Sequence, residues 1–139
     1  MKETICTALG ALGSVIAGFF GGWDASIITL IVFMGIDYIT GLIVAAEKRS
    51  PKSSSGGLNS SAGFRGLMKK GVILLLVLVG ARLDIILGFT YIRDGVCIAY
   101  IINELISITE NAGLLGVPLP AALTNAIEIL QKKTEGKDE

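Results

Sequence analysis

Asn103-Glu104-Leu105-Ile106-Ser107-Ile108-Thr109-Glu110-Asn111 places two carboxylates and two amides within or beside an apolar run. Ionisable groups are costly in the core of a bilayer, so a segment of this kind must face protein or water rather than lipid. On one helix Glu104, Ser107, Ile108 and Asn111 fall at i, i+3, i+4 and i+7, and Asn103 shares a face with Glu110. The polar arc is wide, and a lone helix carrying it is unstable in lipid. Three arrangements would relieve it: protonated carboxylates, a pairing with Arg82, or exposure to water. A position at the cytoplasmic boundary suits Glu110 and Asn111 but suits Glu104 poorly.

The rest of the chain is lipid-like. Apolar residues make up 52% of it and charged residues 17%, against about 25% charged in ordinary soluble domains, and the mean hydropathy is +0.70. An all-α integral membrane protein is expected. Spans of about 20 residues fit near 5–22, 25–46, 71–92 and 95–110. Residues 1–112 read as the transmembrane part and 113–139 as an amphipathic helix with a polar tail. A three-span alternative lays the fourth run in the interface and puts the tail outside.

Charge distribution orients these spans. Lys48, Arg49, Lys52, Arg65, Lys69 and Lys70 cluster between the second and third runs, opposed only by Glu47. Basic connections lie on the cytoplasmic side, and with four spans both termini join that cluster there, together with Lys2, Lys132 and Lys133. The segment 47–70, rich in serine, glycine and lysine, cannot bury a core of its own. Its second half, Leu58 to Lys70, reads either as a solvated loop or as a short interfacial helix on anionic lipid. Arg93, Asp94 and Gly95 read as an outer turn. The tail helix, with Leu119, Leu123, Ala126, Ile127 and Leu130 at helical spacing, suits either the membrane surface or a neighbouring subunit.

Within the spans a few residues stand out. Gly10, Ser14, Gly18 and Gly22 recur every four residues in the first run, which reads as a retained span, and would form a small-residue stripe for helix packing. Trp23 is expected at the interface. Asp37 with Thr40 and Gly41 makes a polar notch in the second run. Arg82 and Asp84 interrupt the third, where two central charges at about +2.5 to +3.5 kcal/mol each nearly cancel the gain from its apolar side chains. Each needs a partner, and Asp37 or Glu104 is the candidate for Arg82. Cys6 and Cys97 lie in apolar runs, where cysteine behaves as a small hydrophobe. The chain has no histidine and no metal-ligand spacing, phosphate loop or nucleophile with its base, so no enzyme, metal, cofactor or nucleic-acid role is expected.

Asp37-x-x-Thr40-Gly41, then Asn59-Ser60 with Gly63, Gly66 and Lys69-Lys70, then Asn103-Glu104-x-x-Ser107-Ile108-x-Glu110-Asn111 with Gly116-x-Pro118-x-Pro120, resembles the phage-lysis and toxin-secretion holin family. The resemblance runs from about Gly35 to Leu130. It implies a multi-pass protein of the bacterial cytoplasmic membrane that accumulates, forms homo-oligomers in the lipid bilayer and opens a lesion, through which an endolysin or large toxin leaves as released cargo. Pore-lining roles would then fall to Asp37, Thr40, Arg82, Asp84, Asn103, Glu104 and Ser107. A small multidrug or ion exporter and a non-conducting scaffold remain as other classes; in such an exporter the carboxylate belongs in the first span, which here has none.

Overall fold

The computed structural model describes residues 1–52 and 55–135; the last four residues of the polar tail, 136–139, lie outside them. Five helices follow in order, with no strand among the described residues: α1 (Lys2–Phe20), α2 (Ala25–Ala46), α3 (Ser60–Leu87), α4 (Ile92–Leu114) and α5 (Ala121–Thr134). At 1.5 Å per residue, α1 to α4 are about 28, 33, 42 and 34 Å long, the scale of a bilayer's hydrocarbon thickness. Two of them, α1 and α2, are both long and apolar enough to cross a membrane.

The helix ends have local causes. Gly21, at φ 80°, closes α1 in the left-handed conformation, and the Gly22 amide bonds back to the Ala17 carbonyl at 2.6 Å. Asp24 then caps α2, accepting from the Ile27 amide at 3.2 Å. Asn59 caps α3, accepting from the Ser61 and Ala62 amides at 2.9 and 3.2 Å, and Gly88, at φ 70°, ends it. The N-terminus of α4 is capped across the turn: the Asp84 carboxylate accepts from the Ile92 and Arg93 amides at 2.9 and 3.1 Å.

These caps correct the sequence boundaries. Asn59 starts α3 eleven residues before the expected third run, so the second half of the 47–70 segment is helical and continuous with that run. The outer turn is at 88–91, and Arg93, Asp94 and Gly95 form the first turn of α4 because Asp84 supplies their end with acceptors. Gly22 lies beyond α1, which leaves only Gly10, Ser14 and Gly18 of the small-residue stripe on the helix.

The central element is α4, packed along α2 and, second, along α3; α5 touches α4 alone and α1 touches α3 alone. Ile27, Leu30 and Met34 of α2, Val77 of α3, and Cys97 and Ile101 of α4 form the core. Gly80 allows α3 to approach α4, since a Cβ there would sit 3.1 Å from the Arg93 Cα. α1 buries no residue, and a Cβ at Gly10 or Gly18 would meet nothing within 4 Å. The outer faces of α1, α2 and α3 carry exposed Leu9, Phe19, Ile31, Ile39, Leu75 and Ile86. So much exposed apolar surface needs a cover.

Candidate functional site

The face of α2 that lies on α4 runs through Ile27, Leu30 and Met34 at helical spacing and then, one turn further, reaches Asp37. On α4 the matching face runs through Cys97 and Ile101 to Glu104 and Asn111. The apolar core therefore passes directly into a buried polar junction, with Asp37 6%, Glu104 3% and Asn111 6% exposed.

The cation at this junction is Lys70, not Arg82. Its Nζ donates to Asp37 Oδ2 and to Glu104 Oε2, both at 2.7 Å. Ser107 Oγ donates to Asp37 Oδ1 at 2.6 Å and Asn111 Nδ2 to the same oxygen at 3.1 Å. Asn111 Nδ2 also reaches Thr40 Oγ1 at 2.9 Å. Asp37 is thus served by three side-chain donors and Glu104 by one. One ammonium faces two acidic side chains, which with both ionised leaves one negative charge in excess in a buried place. Such charges persist only when each is paired and hydrogen-bonded.

Arg82 is exposed and has no hydrogen bond or ion pair among the described residues. It sits twelve residues beyond Lys70 on the same helix, about 18 Å along its axis, so one register of α3 cannot offer both cations to Asp37. Asp84, the other charge of the third run, finds its partners in the amides at the start of α4. Asn111, expected at the cytoplasmic boundary, is buried inside the junction, whereas Glu110 is exposed. Lys48, Lys52, Arg65 and Lys69 are exposed as a basic surface, and Arg49 Nη1 donates to the Leu114 carbonyl at 3.1 Å, which ties the end of α4 to the connection after α2.

A second ionic station, which sequence reasoning had missed, lies at the other end of α4. Arg93 is 7% exposed; its Nη1 and Nη2 donate to the two Asp24 oxygens at 2.6 and 3.1 Å. Nη2 also donates to the Gly22 carbonyl at 2.9 Å and Nη1 to Asp94 at 3.2 Å. The bonds from Arg93 are the main reason the Asp24 carboxyl is held below its ordinary value. The signal for Asp24 was present in the sequence: an aspartate directly before an apolar helical run is a capping pattern. Trp23 is half exposed beside it and donates from Nε1 to the Gly13 carbonyl at 3.2 Å.

Between α2, the first half of α3 and α4 there is a cavity of about 240 Å³. Asp37, Lys70, Glu104 and Ser107 line its buried part; Asn103, Lys52 and Lys69 line it where the chain is exposed. The junction residues and the small residues Gly41, Gly63 and Gly66 thus surround one space.

The sequence profile of the bacteriophage holin family matches residues 14–132. The chain belongs to that family. A probable holin of Bacillus phage phi105 is 30% identical over 111 residues, covering 79% of this chain and 77% of the phage protein. An uncharacterized protein of Clostridium perfringens is 41% identical over 137 residues, 96% of each chain, and one of Listeria monocytogenes is 38% identical over 91% of this chain and 86% of its own. No solved structure gives a significant match. As a holin-family chain with two helices apolar enough to span, it is a membrane protein. The family match covers α2, α3 and α4 in full, and with them every side chain of the buried junction.

Proposed function

We propose that the chain is a holin in the working sense: copies gather in the bacterial cytoplasmic membrane and open a lesion through which an endolysin or large toxin leaves. In this reading α1 to α4 all cross, the basic connection and both termini face the cytoplasm, and no catalytic step is involved. The observation that carries it is the ionic junction of Asp37, Lys70 and Glu104, with Ser107 and Asn111, inside helices whose outer faces are apolar. In a lone chain the junction satisfies itself; in an assembly, helix faces that expose it to water cost less than the same faces exposed to lipid. Exposed Arg82 and Asn103 are the first polar groups that such a water-filled lesion would hydrate. The phage relative named a probable holin supports the same reading.

The test is induction of the gene in bacteria while membrane potential and escape of a large folded cytoplasmic enzyme are recorded together. Abrupt loss of potential with release of the enzyme is expected. Loss of potential with the enzyme retained would replace the lesion by a small pore, and unchanged potential would move the function to an exporter or scaffold.

A further inference from the structure

The cavity beside the junction is unevenly supplied with hydrogen-bonding groups. Its two carboxylates are already engaged by donors of the chain: Asp37 takes Lys70, Ser107 and Asn111, and Glu104 takes Lys70. Its donors are not used up. The Lys52 and Lys69 ammoniums and the Tyr38 hydroxyl have no hydrogen-bond partner among the described residues, and Lys70 has given only two of its three N–H groups. Three ammoniums against two carboxylates give the cavity a net positive charge. Unclaimed donors and positive charge specify an anion.

The walls narrow the class of that anion. Leu42 and Leu58 line the same cavity and are 40% and 65% exposed, so apolar surface runs outward from the space beside the two lysines. A ligand with a charged head and an apolar body matches that layout, and basic pockets between membrane helices on the cytoplasmic side are suited to anionic headgroups. The space is kept open by small residues: a Cβ at Gly66 would meet nothing within 4 Å, and one at Gly63 would lie 3.4 Å from the Tyr38 hydroxyl. We propose that this cavity binds the phosphate headgroup of one anionic phospholipid, with Lys52 and Lys69 as its cationic partners and Tyr38 and the free N–H of Lys70 as further donors. The site needs the chain to be in a membrane but does not depend on lesion formation.

The experiment takes the full chain in a nonionic detergent, adds phosphatidylglycerol or phosphatidylcholine in mixed micelles, or glycerol 3-phosphate by itself, and counts retained ligand per chain by native mass spectrometry. One phosphatidylglycerol per chain is expected, with phosphatidylcholine washed away. Gly66→Leu, which fills the space without changing charge, should abolish retention. Lys52→Gln and Lys69→Gln should each weaken it about fivefold, the worth of one basic side chain near an anionic surface. Lys132→Gln with Lys133→Gln removes twice the charge of either single change, away from the cavity, and should leave retention unchanged. Helix content and thermal unfolding, measured on every variant, separate lost binding from lost fold. Three results would overturn the proposal: equal retention of both lipids, retention undiminished in a folded Gly66→Leu chain, or binding of glycerol 3-phosphate alone with no retained phospholipid.

Discussion

The two ionic stations on α4 solve opposite problems. At Arg93 one guanidinium answers carboxylates that are half in water, with Asp24 49% and Asp94 47% exposed in their side chains. At Lys70 one ammonium, 14% exposed, answers two carboxylates at 7% and 3%. Solvent can replace the cation for the carboxylates of the first and cannot for those of the second. The outer station therefore acts as a staple that fixes the α1–α2 turn to the start of α4, and the inner one as a junction whose members depend on one another.

Breaking the inner station should give the largest effect. Lys70→Met leaves two carboxylates buried without a cation, a loss of about 3–5 kcal/mol, seen as a large fall in the thermal unfolding midpoint of the detergent-solubilised chain. The triple change Asp37→Asn, Lys70→Met and Glu104→Gln removes all three charges and should recover most of it; if the triple variant is as unstable as the single one, the pairing is not what holds this region.

Next in size is the register between the stations. Gly80→Ala places a Cβ 3.1 Å from the Arg93 Cα and 3.3 Å from its amide, so α3 and α4 must separate, at about 1–3 kcal/mol. A crosslink between α3 and α4 that forms in the parent and slows in this variant would report the shift. Asn111→Ala removes one of Asp37's donors and leaves the other two, for about 1–2 kcal/mol by the same unfolding measurement.

The outer station should yield least and should answer to pH. Asp24 is held below its ordinary value of 3.8, so its contribution is complete above that pH and is lost as pH falls through the lower folded value. Asp24→Asn keeps a side-chain oxygen for Arg93, which also retains Asp94 and the Gly22 carbonyl, so it should cost about 1 kcal/mol at neutral pH and should flatten the acid side of the stability curve. Arg82→Gln, at a residue with no partner among the described residues, should change stability by under about 0.5 kcal/mol; a larger loss would show that Arg82 holds a contact within the chain.

The sequence made part of this contrast legible. Asp37 and Glu104 stood out because carboxylates inside apolar runs are too costly to be incidental, and the wide polar arc of Glu104, Ser107 and Asn111 was visible from helical spacing alone. Lys70 was concealed by its company: it ends a basic cluster that reads as one surface, yet it is the member nearest the apolar part of α3. Arg93 and Asp94 with Gly95 have the composition of a turn, and they form helix only because Asp84, eight residues earlier, reaches the Ile92 amide. The small-residue stripe on α1 kept its spacing but lost Gly22 to the turn, since two glycines at φ 80° and 99° end the helix there.

By itself the sequence determined the helices and their order, a surface suited to lipid and the family, because these follow from local composition, spacing and order. Tertiary structure alone decided which cation meets the buried carboxylates. Lys70 and Arg82 share a helix and differ by about 18 Å along it, so the choice depends on how α3 is set against α4. That setting is fixed by contacts far apart in the chain, Gly80 against Arg93 and Val77 with Cys97 in the shared core.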